Sequence, residues 1–105
     1  MPNIKQDIEK IVEKLISFAN PVEIIIFGSV AKELEHSESD IDLCVILNIG
    51  NNRKIDIIRQ IRRNIIGVVD RPVDILVYDR AEFETRAKIA STFEYKILKE
   101  GVRVV

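Results

Sequence analysis

Three short apolar runs constrain this chain more than any other feature: VEIIIF at residues 22–27, DIDLCVIL at 40–47 and PVDILVY at 72–78. Each is rich in Ile and Val, is bounded by Pro, Gly or polar residues, and is too short for a core helix, so each reads as a buried β-strand. Helical patterns lie before, between and after them. Ile8, Ile11, Val12, Leu15 and Ile16 recur at helical spacing, with Lys5, Glu9, Glu13 and Lys14 among them, which predicts an amphipathic first helix ending near Asn20-Pro21. Gly28-Ser29 breaks the first strand, and Ser29 is placed to cap a short helix to about residue 34, followed by a polar EHSES loop. After a Gly50-Asn51-Asn52 turn, Ile55, Ile58, Ile61 and Ile65 lay out another amphipathic helix, with Gly67 placed to end it. The rest, to Glu100, is helical in pattern through Phe83, Ala87, Ala90, Phe93 and Ile97, with an interruption near Ser91. The order α-β-α-β-α-β-α predicts an α/β (α+β) fold, one sheet with helices packed against it.

At 105 residues the chain is expected to be a single domain, residues 1–105, with no room for a second substrate-binding lobe. A net charge of −1 gives no global reason for nucleic-acid or membrane binding. The lone Cys44 excludes an internal disulfide and a cysteine zinc site. With neither a secretion-signal pattern nor an apolar run long enough to span a bilayer, a cytoplasmic location is expected.

The chemistry gathers at the second run. Alternation in a strand puts Asp40 and Asp42 on one face, about 7 Å apart at Cα, with Ile41 and Leu43 on the other. Two carboxylates so close repel each other unless a cation sits between them, and hard Mg²⁺ suits carboxylates that also meet phosphates. Asp74 stands inside the third apolar run. If that strand neighbours the second, it completes a three-carboxylate set suited to two-metal phosphoryl transfer. Asp79, at the strand's end, reads instead as a turn or helix cap. Gly28 lets a phosphate approach the backbone, the following helix N-terminus offers free N–H groups, Ser29 adds a hydroxyl donor and Lys32 a charge. Each element alone is commonplace; their order and spacing make the signal.

The stretch GSVAKELEHSESDID matches the Gly-Ser, ten residues, Asp-x-Asp signature of the polymerase-beta-like nucleotidyltransferase superfamily, and in size and order the chain resembles its minimal nucleotidyltransferase (MNT) members. The resemblance implies a small mixed sheet flanked by helices. It implies that Gly28, Ser29 and Lys32 bind the nucleotide triphosphate, that Asp40, Asp42 and Asp74 are catalytic and hold Mg²⁺, and that Asp74 orients or deprotonates the acceptor hydroxyl. By the same resemblance the protein is a nucleotidyltransferase that moves AMP from ATP to a hydroxyl of a partner protein, as the antitoxin paired with a HEPN-domain toxin. The alternative is a catalytically weak antitoxin that neutralises its partner by binding alone; modification of a small molecule is a third reading, for which the chain lacks the helices that would hold a sugar. Relatives often carry Ala-Arg-Gly where this chain has Ala31-Lys32-Glu33, which replaces a bidentate fork with a point charge and adds a carboxylate near the phosphates.

Other features admit two readings each. Arg53, Lys54, Arg59, Arg62 and Arg63 make the helix after the second strand basic, either a solvated face or a docking surface for an acidic partner; direct nucleic-acid binding is not expected, since no aromatics interleave with them. His36 reads as a loop residue, Cys44 as a small buried hydrophobe, and Tyr78 and Tyr95 as packing residues with polar tips. The terminal VRVV is β-prone, and is expected to pair with a second copy or with the partner, making a homodimer or hetero-oligomer, in preference to tucking onto its own sheet.

Overall fold

The computed structural model describes residues 4–28 and 40–105. The expected short helix and loop, with Ser29, Lys32, Glu33 and His36, lie outside the described residues. Within them the order is α1 (Ile4–Ala19), β1 (Glu23–Phe27), β2 (Ile41–Leu47), α2 (Lys54–Ile65), β3 (Val73–Asp79), α3 (Arg80–Ala87), α4 (Phe93–Glu100) and β4 (Val102–Arg103).

The strands form one sheet in the order β3-β2-β1-β4. β1 runs antiparallel to β2 and to β4, whereas β2 and β3 are parallel, with α2 as the crossover that a parallel pair requires. The sheet is therefore mixed, as expected. Ile41, Leu43, Val45 and Leu47 of β2 point to one side, with Ile11 and Leu15 of α1 and Ile61 and Ile65 of α2. Cys44 and Ile46 point to the other, with Phe83 and Ala87 of α3 and Ile97 of α4. Burial on both faces explains why the strands read as continuous apolar runs.

One buried ion pair ties the first core together. Asp7 occupies an inward position of α1, one turn before Ile11, and its Oδ2 accepts from Arg71 Nε at 2.7 Å with both side chains nearly fully buried. Arg71 immediately precedes Pro72, whose carbonyl accepts from Ile41 N–H at 3.0 Å. The bridge thus anchors the start of β3 against α1.

The interruption expected near Ser91 is present, but the inward positions expected of Ala90 and Phe93 and the pairing expected of VRVV are corrected. The C-terminal helical pattern is two helices: after Ala87 the chain turns, Thr92 caps α4 by accepting from Tyr95 N–H at 3.1 Å, and its hydroxyl donates to the Ile89 carbonyl at 2.8 Å. The break leaves Ala90 and Phe93 exposed although the periodicity placed them inward. The terminal VRVV does not await another chain for its pairing: Val102 and Arg103 pair with β1, and Val104 N–H donates to the Ile24 carbonyl at 2.9 Å. β1 needed a neighbour on that side, and the chain's own end supplies it. The expected roles of Asp79 and Cys44 hold, for Asp79 caps α3 by accepting from Ala81 N–H while also holding Ile49 N–H, and Cys44 is fully buried. Burial and the nearby Glu94 and Glu23 charges push its thiol up to about 12, leaving it inert. No described helix is long and apolar enough to cross a membrane.

Candidate active site

The sheet register assembles the site. Phe27, the last residue of β1, lies opposite Asp42, and Asp42 is the register partner of Asp74 across the parallel ladder. Phe27, Asp42 and Asp74 thus form one transverse row. On the same face the next row inward is Ile25, Cys44 and Leu76, so the two carboxylates stand where the apolar face meets solvent. Asp42 is half-buried, while Asp74 and Asp40 are exposed, Asp40 lying just before β2.

Gly28 closes the row. It has φ of 79°, in the region glycine favours, and a Cβ at this position would run into Oδ2 of Asp42. No side chain fits between the end of β1 and that carboxylate. The backbone at Gly28 is therefore open to whatever Asp42 faces.

The Asp42 carboxyl is raised above the ordinary aspartate range. Burial is the largest cause, followed by the charges of Asp74 and Asp40 and a side-chain hydrogen bond with Asp74. Among the described residues no group of three His, Cys, Asp or Glu side chains stands in metal-holding geometry. The donor set nevertheless fits Mg²⁺: its atoms are hard carboxylate oxygens, and a cation would relieve the repulsion that raises Asp42.

Two concavities flank the row. An apolar pocket of about 200 Å³ is lined by Phe27, Gly28, Phe93, Lys96, Ile97 and Glu100, with the Phe27 and Phe93 rings edge to face at 5.7 Å. A larger cleft, about 430 Å³, has Asp74 in its lining together with residues of β3 and the C-terminal end of α2. The α4 residues at the first pocket escaped the sequence reading. Their signal is the spacing of Phe93, Lys96, Ile97 and Glu100, at i, i+3, i+4 and i+7 on one helical face.

Deeper on the same face, Glu94 is buried at the start of α4, where it accepts from Tyr78 Oη at 2.5 Å and from Arg86 Nε at 3.1 Å. The Tyr78 hydrogen bond, helped by Arg86, lowers the Glu94 carboxyl against the opposing effect of burial. Burial and that same bond raise the Tyr78 phenol, so Tyr78 is a neutral donor tying β3 to α4. Its expected packing role stands.

A small mixed sheet places two carboxylates side by side across parallel strands with a glycine against them, an arrangement of the kind phosphoryl transfer uses. The nucleotidyltransferase domain family matches residues 6–103, and the chain belongs to that family. Among solved structures, it is similar to a Sulfolobus solfataricus protein assigned as a nucleotidyltransferase, with a TM-score of 0.55 and 25% identity over 95% of this chain and 74% of that one. No curated protein matches significantly.

Proposed function

We propose that this protein transfers AMP from ATP to a hydroxyl group on a partner protein, as the antitoxin of a HEPN/MNT pair. The observation that carries the reading is the in-register Asp42–Asp74 pair with Gly28 against it. Asp40, Asp42 and Asp74 would hold Mg²⁺, which when bound neutralises phosphate charge and the carboxylates' mutual repulsion. Gly28 gives the triphosphate access to the backbone, and Ser29 and Lys32 are assigned to the same task from the sequence. The apolar walls of Phe27, Phe93 and Ile97 suit the base or ribose.

In the transfer step the acceptor oxygen forms a bond to the α-phosphorus of ATP, the bond from that phosphorus to the bridging oxygen breaks, and pyrophosphate leaves with the electron pair. The hydroxyl proton passes to the Asp74 carboxylate and on to solvent. Asp74 suits this role because it is the exposed member of the pair, within reach of an incoming macromolecule.

The test is ATP titration by calorimetry with and without Mg²⁺, repeated on Asp42→Asn. Metal-dependent binding lost in the variant is expected; binding that survives in the variant would overturn the site. Lys32-Glu33, standing where relatives often carry Arg-Gly, favours one competing reading, neutralisation by binding alone. If Asp40→Asn/Asp42→Asn still forms the complex with the toxin and neutralises it, that reading replaces ours.

A further inference from the structure

Five of the eight arginines, Arg53, Arg71, Arg80, Arg86 and Arg103, each meet an Asp or Glu. Arg59, Arg62 and Arg63 meet none among the described residues. All three are exposed on the C-terminal half of α2, and their i, i+3, i+4 spacing puts them on one side of the helix. Directly after α2, Ile66 is 82% exposed, the most exposed large hydrophobic residue described. Arg62 and Ile66 both line the 430 Å³ cleft whose lining includes Asp74. β3 forms the wall of that cleft and is an edge strand with no further described strand on its outer side.

Arg62 in the lining, Arg59 and Arg63 on the same side of its helix with no carboxylate partner among the described residues, an exposed isoleucine and an edge strand together ask for an occupant that is anionic, partly apolar and extended. We propose that this cleft docks an acidic polypeptide segment and delivers its hydroxyl side chain to Asp74. The inference rests on the reading above for the fate of that hydroxyl, whereas the docking rests on the patch itself. Guanidinium groups recognise carboxylates in bidentate fashion, and complementary charge steers encounter and fixes orientation. No aromatic side chain lines the cleft, so it lacks the stacking platform with which single-stranded nucleic acid is held.

The experiment uses the full chain and a fluorescently labelled random copolymer of glutamate and tyrosine, with a lysine–tyrosine copolymer and oligouridine RNA as controls. Anisotropy is expected to show salt-sensitive binding of the acidic copolymer, weakened about tenfold or more by Arg59→Glu/Arg62→Glu/Arg63→Glu and about threefold by Ile66→Asp. No binding of the acidic copolymer, equal binding by the charge-reversed variant, equal binding of the lysine copolymer, or arginine-dependent binding of the RNA alone would each overturn the proposal. Circular dichroism melts confirm that the surface variants fold. Mg²⁺-ATP titration on the charge-reversed variant is expected to match wild type. Copolymer docking without ATP binding in the wild type would support the docking surface and sink the nucleotide reading instead.

Discussion

Asp42 and Asp74 sit side by side across the parallel β2–β3 ladder, and Asp42 is held above its ordinary range by burial, by the charges of Asp74 and Asp40, and by the hydrogen bond to Asp74. A carboxyl raised on folding contributes stability below its unfolded pKa, and loses it as pH rises through the folded value. At neutral pH the ionised Asp42 therefore opposes folding. Asp42→Asn is expected to melt higher than wild type without divalent cation. For a half-exposed group, solvent screening limits the gain to about 0.5 kcal/mol, or some 2–4 °C. The difference should vanish in acid, where both side chains are neutral, and grow as pH rises into the neutral range. Mg²⁺ should narrow it. A variant that melts lower than wild type at neutral pH, with or without the cation, would show that Asp42 is not under electrostatic strain.

Gly28→Ala tests the contact between β1's end and the same carboxylate. The variant suffers both from the positive φ, at about 1 kcal/mol, and from the overlap with Asp42 Oδ2, at about 1–3 kcal/mol. In an Asp42→Ala background the second cost disappears, so the Gly28→Ala penalty should shrink to about 1 kcal/mol. Equal penalties in the two backgrounds, measured by urea denaturation, would mean that the carboxylate does not occupy the space the glycine vacates.

Much of this site could be read before the fold was known. Alternation put Asp40 and Asp42 on one face, and the apolar context of Asp74 marked it as a strand residue awaiting a neighbour; the β2–β3 register then supplied the neighbour. Other parts were out of reach for physical reasons. Asp7 and Arg71 are 64 residues apart, and nothing local says which distant charge an inward aspartate will meet. The pocket face of α4 was hidden because one helical phase was carried across the interruption expected near Ser91, whereas the Thr92 cap resets that phase. The VRVV segment carried a clear strand propensity but no information on which edge it would join.

The Asp7–Arg71 bridge anchors the start of β3, three residues before Asp74. Asp7→Ala is expected to destabilise the protein by about 3–5 kcal/mol, because it breaks a buried charge pair on one side only. Replacing both partners, Asp7→Leu with Arg71→Met, should recover most of that loss. The rescued protein should fold yet bind Mg²⁺-ATP more weakly wherever β3 has shifted. Failure of the double variant to recover stability, in denaturant melts of all three proteins, would show that the loss does not arise from stranding one buried charge.

Glu94 supplies the opposite pH signature to Asp42. Its carboxyl is lowered chiefly by the Tyr78 hydrogen bond and further by Arg86, so its contribution to stability is present above the ordinary glutamate range and is lost as pH falls through the lowered folded value. Glu94→Gln keeps the size and removes the charge. It is expected to cost about 1.5–3 kcal/mol near neutrality, the worth of hydrogen bonds to a charged group, and progressively less in acid, where the wild-type carboxyl is also neutral. Tyr78→Phe removes the donor and should lessen the penalty of Glu94→Gln in the double variant, since the two share one bond. A Glu94→Gln penalty that stays constant from acid to neutral pH would show that the ionised carboxylate is not what joins α4 to the strand that carries Asp74.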